Sequence, residues 1–184
     1  MNKSNGLSLF ELLTVLIIVA IIAGFAMPSL RDLLQTSYAD VQRDQLLQVI
    51  QLARSEALLR GVSVSLCKSA DQKICGGAWD QGQIVFVDDQ ESGEVQQREQ
   101  VIAVFTGASQ YAHLYWRAFP RRQAYLQFLA DGTTHAENGT FWYCMSSHPY
   151  PRWAIVIGKS GRAREVYPDQ HGKIIDGRGE VLQC

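Results

Sequence analysis

The chain has 184 residues, 47% of them hydrophobic and 19% charged, with 17 Lys+Arg against 18 Asp+Glu. This profile excludes disorder, collagen-like repeats and a polytopic membrane protein, and makes one domain the default. The charge is split: Met1–Ser109 carries 8 Lys+Arg and 12 Asp+Glu, net -4, whereas Gln110–Cys184 carries 9 and 6, net +3, and all four histidines. A basic back half on an acidic front half permits a polyanionic partner for the back half alone.

The mean hydropathy of -0.07 conceals an apolar first segment. Leu12–Met27 has no charge, and Leu7–Leu30 has Glu11 as its only acidic residue. Such a run is long enough to cross a bilayer, since about 20 helical residues span roughly 30 Å of hydrocarbon. Before it lies the polar leader MNKSNG with Lys3, whose positive charge marks the cytoplasmic flank. A secretory signal would have a shorter apolar core and a small-residue cleavage site, so this segment is expected to be retained. Glu11 is costly inside an apolar helix and calls for a counter-charge. Cleavage after Gly6 would supply one, because the new amine of Leu7 would lie four residues away on this chain or next to Glu11 of a neighbouring chain; otherwise Glu11 sits at headgroup level near the helix start.

Gly6, then Leu7-Ser8-Leu9-Phe10-Glu11, an apolar helix and Pro28 resemble the class III signal of type IV pilins and type II secretion pseudopilins. The resemblance implies that a prepilin peptidase cuts after Gly6, that the new N-terminus is methylated, and that Glu11 assists subunit assembly. Glu11 is fifth and Pro28 twenty-second counting from Leu7, as the family pattern has them. Leu7 departs from it, since Phe is commonest at that place.

Beyond Pro28 a helical period continues through Leu30, Leu34, Tyr38, Val41, Val49, Leu52, Ala53 and Ala57, with Arg31, Asp32, Asp40, Arg43, Asp44, Arg54 and Glu56 on the other faces and Gly61 as a stop. One helix from Leu7 to Arg60 would reach about 80 Å, with Gly24 and Pro28 as places to bend. After Gly61 the period becomes two. Residues 62–66, 84–87, 101–105, 124–128, 140–143 and 154–157 read as strands, with a further strand over 163–167. Turn signals stand at Glu91-Ser92-Gly93, Asp131-Gly132 and Asn138-Gly139. Without crossover helices the sheet should be mainly antiparallel. The expected fold is α+β: a leader over 1–6, a transmembrane and assembly half-helix over 7–30, an amphipathic half over 31–60, and a periplasmic or extracellular β-rich head over 61–184.

The run Ala53-Arg54-Ser55-Glu56-Ala57, the strand Val64-Ser65-Leu66-Cys67, Trp79 before Gly82–Asp88, and the late Ser160-Gly161-Arg162 turn resemble the FimT/FimU/GspH branch of minor pilins and pseudopilins. That resemblance implies a type IV pilin-like fold. Cys67, Cys75, Cys144 and Cys184 allow three pairings. Their spacing, without C-x-x-C or paired His, disfavours zinc, and a periplasmic head would be oxidised. The favoured pairs are Cys67 with Cys75, around a short loop, and Cys144 with Cys184, tying back the last residue.

Candidate chemistry is sparse. Gly158-Lys159-Ser160 resembles the end of a phosphate loop, but Trp153 stands where Gly is required. Asn138-Gly139-Thr140 fits a glycosylation sequon and reads better as a hairpin turn. Asp88, Asp89 and Glu91 lack calcium-loop spacing and read as a solvated loop. His113, His135, His148 and His171 are scattered, and no Ser or Cys nucleophile has an activating context. No enzyme, metal or cofactor is expected.

What remains is Lys159-Ser160-Gly161-Arg162-Ala163-Arg164, expected as a hairpin tip presenting Lys159, Arg162 and Arg164. Arg and close backbone at Gly161 suit phosphate. Arg152, with Arg121, Arg122, Lys173 and Arg178, would extend the patch if the fold gathers them, and Tyr150, Trp153 and Tyr167 could stack on bases. The plain alternative is a basic tip that keeps an edge soluble. Gly161-Arg162-Ala163-Arg164 resembles the G-R-x-R motif of FimT-type minor pilins, which implies sequence-tolerant DNA binding in natural transformation and competence. The expected protein is a minor pilin, held by the inner membrane before entering a surface pilus with other pilin subunits. Competing readings are an assembly-only minor pilin, a GspH-type pseudopilin of type II secretion, and a membrane-tethered periplasmic enzyme.

Overall fold

The computed structural model describes residues 9–97, 100–107, 112–119, 123–134, 138–146, 149–176 and 179–184, with backbone only at 28, 29 and 31. A single helix, α1, runs Leu9–Arg60. It ends as expected at Gly61, whose φ of 66° lets the chain turn left-handed while its N–H bonds the Ala57 carbonyl at 3.0 Å. The helical assignment is continuous through Gly24 and Pro28. Two compact units divide at Val41 and Gln42. In the first, the helix is long and apolar enough to cross a membrane by length and composition, and its large apolar side chains are exposed, Phe10 by 75%. Gly6 and Leu7 lie outside the described residues.

In the second unit the helix buries Leu46, Val49, Ile50, Ala53 and Ala57 to 2% exposure or less, the i, i+3, i+4 stripe of an amphipathic helix. This corrects the expected stripe, because Leu30, Leu34, Tyr38 and Val41 are exposed and Leu46 and Ile50 had been passed over. Arg54 also leaves its expected solvent face: it is half-buried against the head.

Eight strands follow: β1 Val64–Lys68, β2 Gly82–Val87, β3 Val101–Thr106, β4 Ala112–Phe119, β5 Tyr125–Phe128, β6 Asn138–Met145, β7 Trp153–Ile157 and β8 Ala163–Val166. They form two four-stranded sheets, ordered β3-β2-β1-β5 and β4-β6-β7-β8, and every strand pair is antiparallel. The α+β fold therefore stands, with one sheet more than expected and a strand, β4, that the sequence reading did not contain. Asn138-Gly139 is not a hairpin turn. Both residues belong to β6, paired with Phe119 and Ala118, and a Cβ at Gly139 would lie 2.1 Å from the Trp116 indole, which fills the place of the absent side chain.

Trp79, 6% exposed, reaches from the first sheet to the second, edge-on to Phe141 at 4.8 Å and 6.3 Å from Trp116. The outer face of sheet one carries Cys67, Ile84 and Phe86, covered by loop residues Cys75 and Val95. That of sheet two carries Trp142, Cys144 and Ala154, covered by Ile174 and Leu182 of the C-terminal segment. Each cover is stapled by a disulfide, Cys67–Cys75 and Cys144–Cys184, in the favoured pairing. Leu182, wholly buried, anchors the tail beside its bond.

Asp88 corrects another expectation. It is 2% exposed, not solvated, and accepts from Ser65 Oγ at 2.7 Å, Gln127 Nε2 at 2.9 Å, and the Ser92 and Gly93 amides, both at 2.9 Å. A buried carboxylate needs such a full complement of donors. Among the described residues no His, Cys, Asp or Glu cluster could hold a metal.

Candidate functional site

The basic run folds as the β7–β8 hairpin. Ile157 pairs with Ala163 and Val156 with Arg164, and Gly158 N–H bonds the Arg162 carbonyl at 3.1 Å to close the turn. Lys159, Arg162 and Arg164 are exposed, and their side chains form no ion pair with a described residue. Gly161 is buried with φ 71°, and a Cβ there would lie 2.1 Å from the Gly132 carbonyl oxygen. The turn is thus pressed against the Asp131-Gly132 turn. Thr134 N–H bonds the Lys159 carbonyl at 3.1 Å, and Arg54 of α1 donates through Nε to the Gly132 carbonyl at 2.9 Å and through NH2 to the Ser160 carbonyl at 3.2 Å. A half-buried guanidinium ties both turns to the helix, so the exposed cations stand on a fixed base. Asp131 supports the same junction. Its carboxyl lies below the ordinary carboxylate value because the Thr133 hydroxyl, and then the Thr133 amide, donate to the charged form.

Strand alternation separates the charges of β8. Arg164 pairs with half-buried Val156 on the outer face, while Glu165 pairs with buried Ile155 and turns to the helix side. There Arg43 Nε lies 3.5 Å from Glu165, and the Tyr167 hydroxyl donates to the same carboxylate. That bond holds the Tyr167 phenol above its ordinary value. Glu165, the acid that follows the run, thus faces Arg43, which it shares with Asp44 at 2.8 Å, on the far side from Arg164.

Among the described residues, Arg152 of the expected wider patch stands apart from the turn. Arg152 precedes β7 and Lys159 follows its end, so a five-residue strand of about 17 Å separates them. Arg152 instead lines a cavity of about 310 Å³ with Met145, Pro149, Tyr150, Pro151 and Pro168. Trp153 cannot stack on a base, because it is fully buried and stacked on Tyr143 at 5.1 Å. Burial also raises the Tyr143 phenol. Tyr167 is exposed but engaged by Arg43, whose NH1 donates to its hydroxyl at 2.8 Å. Lys173 is exposed in a later turn, and Arg121, Arg122, Arg178, His135 and His148 lie outside the described residues.

Sequence reasoning missed the Arg54 clamp. Its signal was present, since Arg54 lies within the Ala53–Ala57 run, but its partners are carbonyls 78 and 106 residues away. It also missed the His113–Asp80 pair, with Nδ1 at 2.8 Å from Oδ2, which links β4 to the loop before β2.

A family model described as "Type II transport protein GspH" matches residues 42–161. Among solved structures, the type IV minor pilin FimU of Pseudomonas aeruginosa is similar in two crystal forms: TM-score 0.53 and 23% identity over 73% of this chain and 88% of that one, and TM-score 0.52 and 21% identity over 71% and 90%. The minor pseudopilin EpsH from the type II secretion system of Vibrio cholerae matches with TM-score 0.52 and 14% identity over 73% and 99%. These likenesses bear on the fold. A comparison with curated proteins finds no match.

Proposed function

Since the chain belongs to the GspH family of type IV minor pilins and pseudopilins, we propose that it is a minor pilin that binds DNA through the β7–β8 turn for uptake in natural transformation. In this reading the peptidase removes residues 1–6 after Gly6 and the new terminus at Leu7 is methylated. Residues 7–30 hold the chain in the inner membrane and then, with Glu11 paired to a terminal amine, join it to other pilin subunits. Residues 31–60 carry the helix into the head, and 61–184 form the head outside.

One observation carries the DNA reading. Lys159, Arg162 and Arg164 project from a clamped turn, and the acid that follows it, Glu165, is turned away toward Arg43. Three cations that form no ion pair with a described residue, on a fixed turn, suit phosphates spaced along a backbone, which a mobile lysine-rich loop would meet only at an entropic cost. Contacts of this kind are sequence-tolerant and salt-sensitive, with a dissociation constant of about 10⁻⁴ to 10⁻⁶ M. If all three cations meet phosphates, log K falls with log salt at a slope of about -2.7, and each lost contact reduces it by about 0.9.

The test is a titration of the full chain in nonionic detergent with duplex DNA, comparing wild type with Arg162→Gln and Arg164→Gln. Weaker binding and a shallower salt slope in each variant are expected. No binding by wild type at low salt, or unchanged binding in both variants, removes DNA from the function and leaves a subunit that serves assembly alone, in a pilus or a type II secretion pseudopilus.

A further inference from the structure

β4 is an end strand of sheet two, paired with β6 on one side and, among the described residues, with no strand on the other. A cavity of about 330 Å³ is lined by residues 113–116 of β4 together with Lys68, the loop 77–80 and Gln123. Successive side chains of a strand point to opposite faces, so four consecutive residues line one cavity only where it meets the strand at its edge. β8, which carries the end of the basic run, is the opposite edge of the sheet, three strand spacings or about 14 Å away.

Two indoles form the apolar wall. Trp79 and Trp116 lie 6.3 Å apart with their planes tilted by 59°, and Phe141 packs against them at 4.8 Å and 4.3 Å. Trp116 Nε1 donates to the Gln123 carbonyl at 3.1 Å, so the ring is set before any ligand arrives. The polar groups are of both signs. Asp80 accepts from His113 Nδ1 at 2.8 Å, which leaves Nε2 as the second polar atom of the imidazole. The Lys68 ammonium, the Tyr115 hydroxyl and the Gln123 side-chain amide make no bond to a described residue. Tyr115 is held by its ring, stacked on Trp142 at 5.3 Å.

These groups exclude two classes of ligand. Lys68 and Asp80 oppose each other in one wall, so the cavity has no net field to draw a polyanion such as DNA. An apolar side chain would suit the indoles but would cover the polar heads of Lys68, Tyr115 and Gln123 without giving them partners. A small ring with several hydroxyls satisfies both walls. Each hydroxyl donates and accepts, and the electropositive C–H groups of the ring face suit the negative face of an aromatic. We propose that this cavity binds one sugar ring of a neutral glycan, with Lys68 donating to its hydroxyls, Asp80 accepting from them, and Tyr115 and Gln123 doing either. Its volume, at the lower end of the roughly 300–1,000 Å³ of ligand pockets, limits it to the end of a glycan. This binding activity is separate from the DNA reading and does not rest on it.

The experiment titrates the full chain, in a polyoxyethylene detergent that carries no sugar, with the methyl glycosides of glucose, galactose, mannose and N-acetylglucosamine. N-acetylneuraminic acid is the acidic comparison, and tryptophan fluorescence is the readout. At least one neutral glycoside should shift the emission with a dissociation constant on the order of millimolar, as expected for a single small ring. Tyr115→Phe and Lys68→Gln should each weaken that binding by about three- to tenfold, the effect of one lost hydrogen bond, with duplex DNA binding as in wild type. Tyr115→Phe keeps the ring on Trp142 and Lys68→Gln removes only a charge, so thermal unfolding at the wild-type temperature certifies both as folded. No response to any neutral glycoside up to about 50 mM overturns the proposal. A response confined to N-acetylneuraminic acid, or one that both variants leave unchanged, overturns it equally.

Discussion

Replacing Gly161 by Ala separates a clamped turn from an ordinary one. The added Cβ would lie 2.1 Å from the Gly132 carbonyl oxygen and 3.0 Å from Arg54 Nε. The first neighbour is backbone, so no side-chain rotation relieves it. At φ 71° an Ala also carries the left-handed penalty of roughly 1–2 kcal/mol. The turn must then withdraw from Gly132, weakening the Arg54 bonds to Gly132 and Ser160, and hydrogen bonds to a charged group contribute about 1.5–3 kcal/mol. Together these give about 3–5 kcal/mol, or a fall in Tm of about 6–20 °C at the 2–4 °C per kcal/mol usual for chains of this size. Gly158, three residues earlier, is the control. Its φ is not left-handed, and the nearest atom to an added Cβ is Ser160 Oγ at 4.0 Å, so Gly158→Ala should leave Tm within a few degrees of wild type. Thermal unfolding in nonionic detergent, followed by circular dichroism, measures both. Equal Tm values for the two variants would refute the clamp.

Asp88→Ala should lower stability by about 3–5 kcal/mol, since it leaves Ser65, Gln127 and two amides without their shared acceptor; a loss under 1 kcal/mol in denaturant unfolding contradicts that network. Cys144→Ser with Cys184→Ser should cost about 4 kcal/mol on chain-entropy grounds for a separation of 40 residues, against about 2.5 for the Cys67–Cys75 pair over 8, and paired thermal scans should rank them in that order. The Asp131 carboxyl has a folded pKa below its unfolded one, so its contribution is present above about pH 4 and disappears as pH falls through the folded value. The Tm gap between wild type and Asp131→Asn should therefore close as the pH is taken down from about 5 through the folded value, which lies below the unfolded one; a gap that persists or widens contradicts the sign.

Much of this protein was written in local pattern. The apolar run, Glu11 and the Gly61 stop act within a few residues of themselves, and short apolar, β-branched and aromatic runs marked β2, β3, β5, β6 and β7, of which β2 and β6 are buried on both faces. β4 escaped, since Ala112-His113-Leu114-Tyr115-Trp116-Arg117-Ala118-Phe119 carries bulky rings on both faces: Trp116 fills the place beside Gly139 while Tyr115 stacks on Trp142 at 5.3 Å. Asn138-Gly139 misled for the same reason, its glycine serving a neighbour and not a bend.

The basic turn was legible as a run of residue types; what made it a site was not. Arg54, Gly132 and Thr134, which hold it, and Arg43, which faces Glu165, are remote in sequence, and the separation of Arg152 from Lys159 follows from their places before and after β7. By itself the sequence determined the helix, most of the strands, the apolar spine and the residues able to carry charge, because propensity and periodicity act over a few residues. The tertiary structure alone decided which polar groups are compensated and which remain unopposed, because pairing depends on distance in space between residues that the chain keeps far apart.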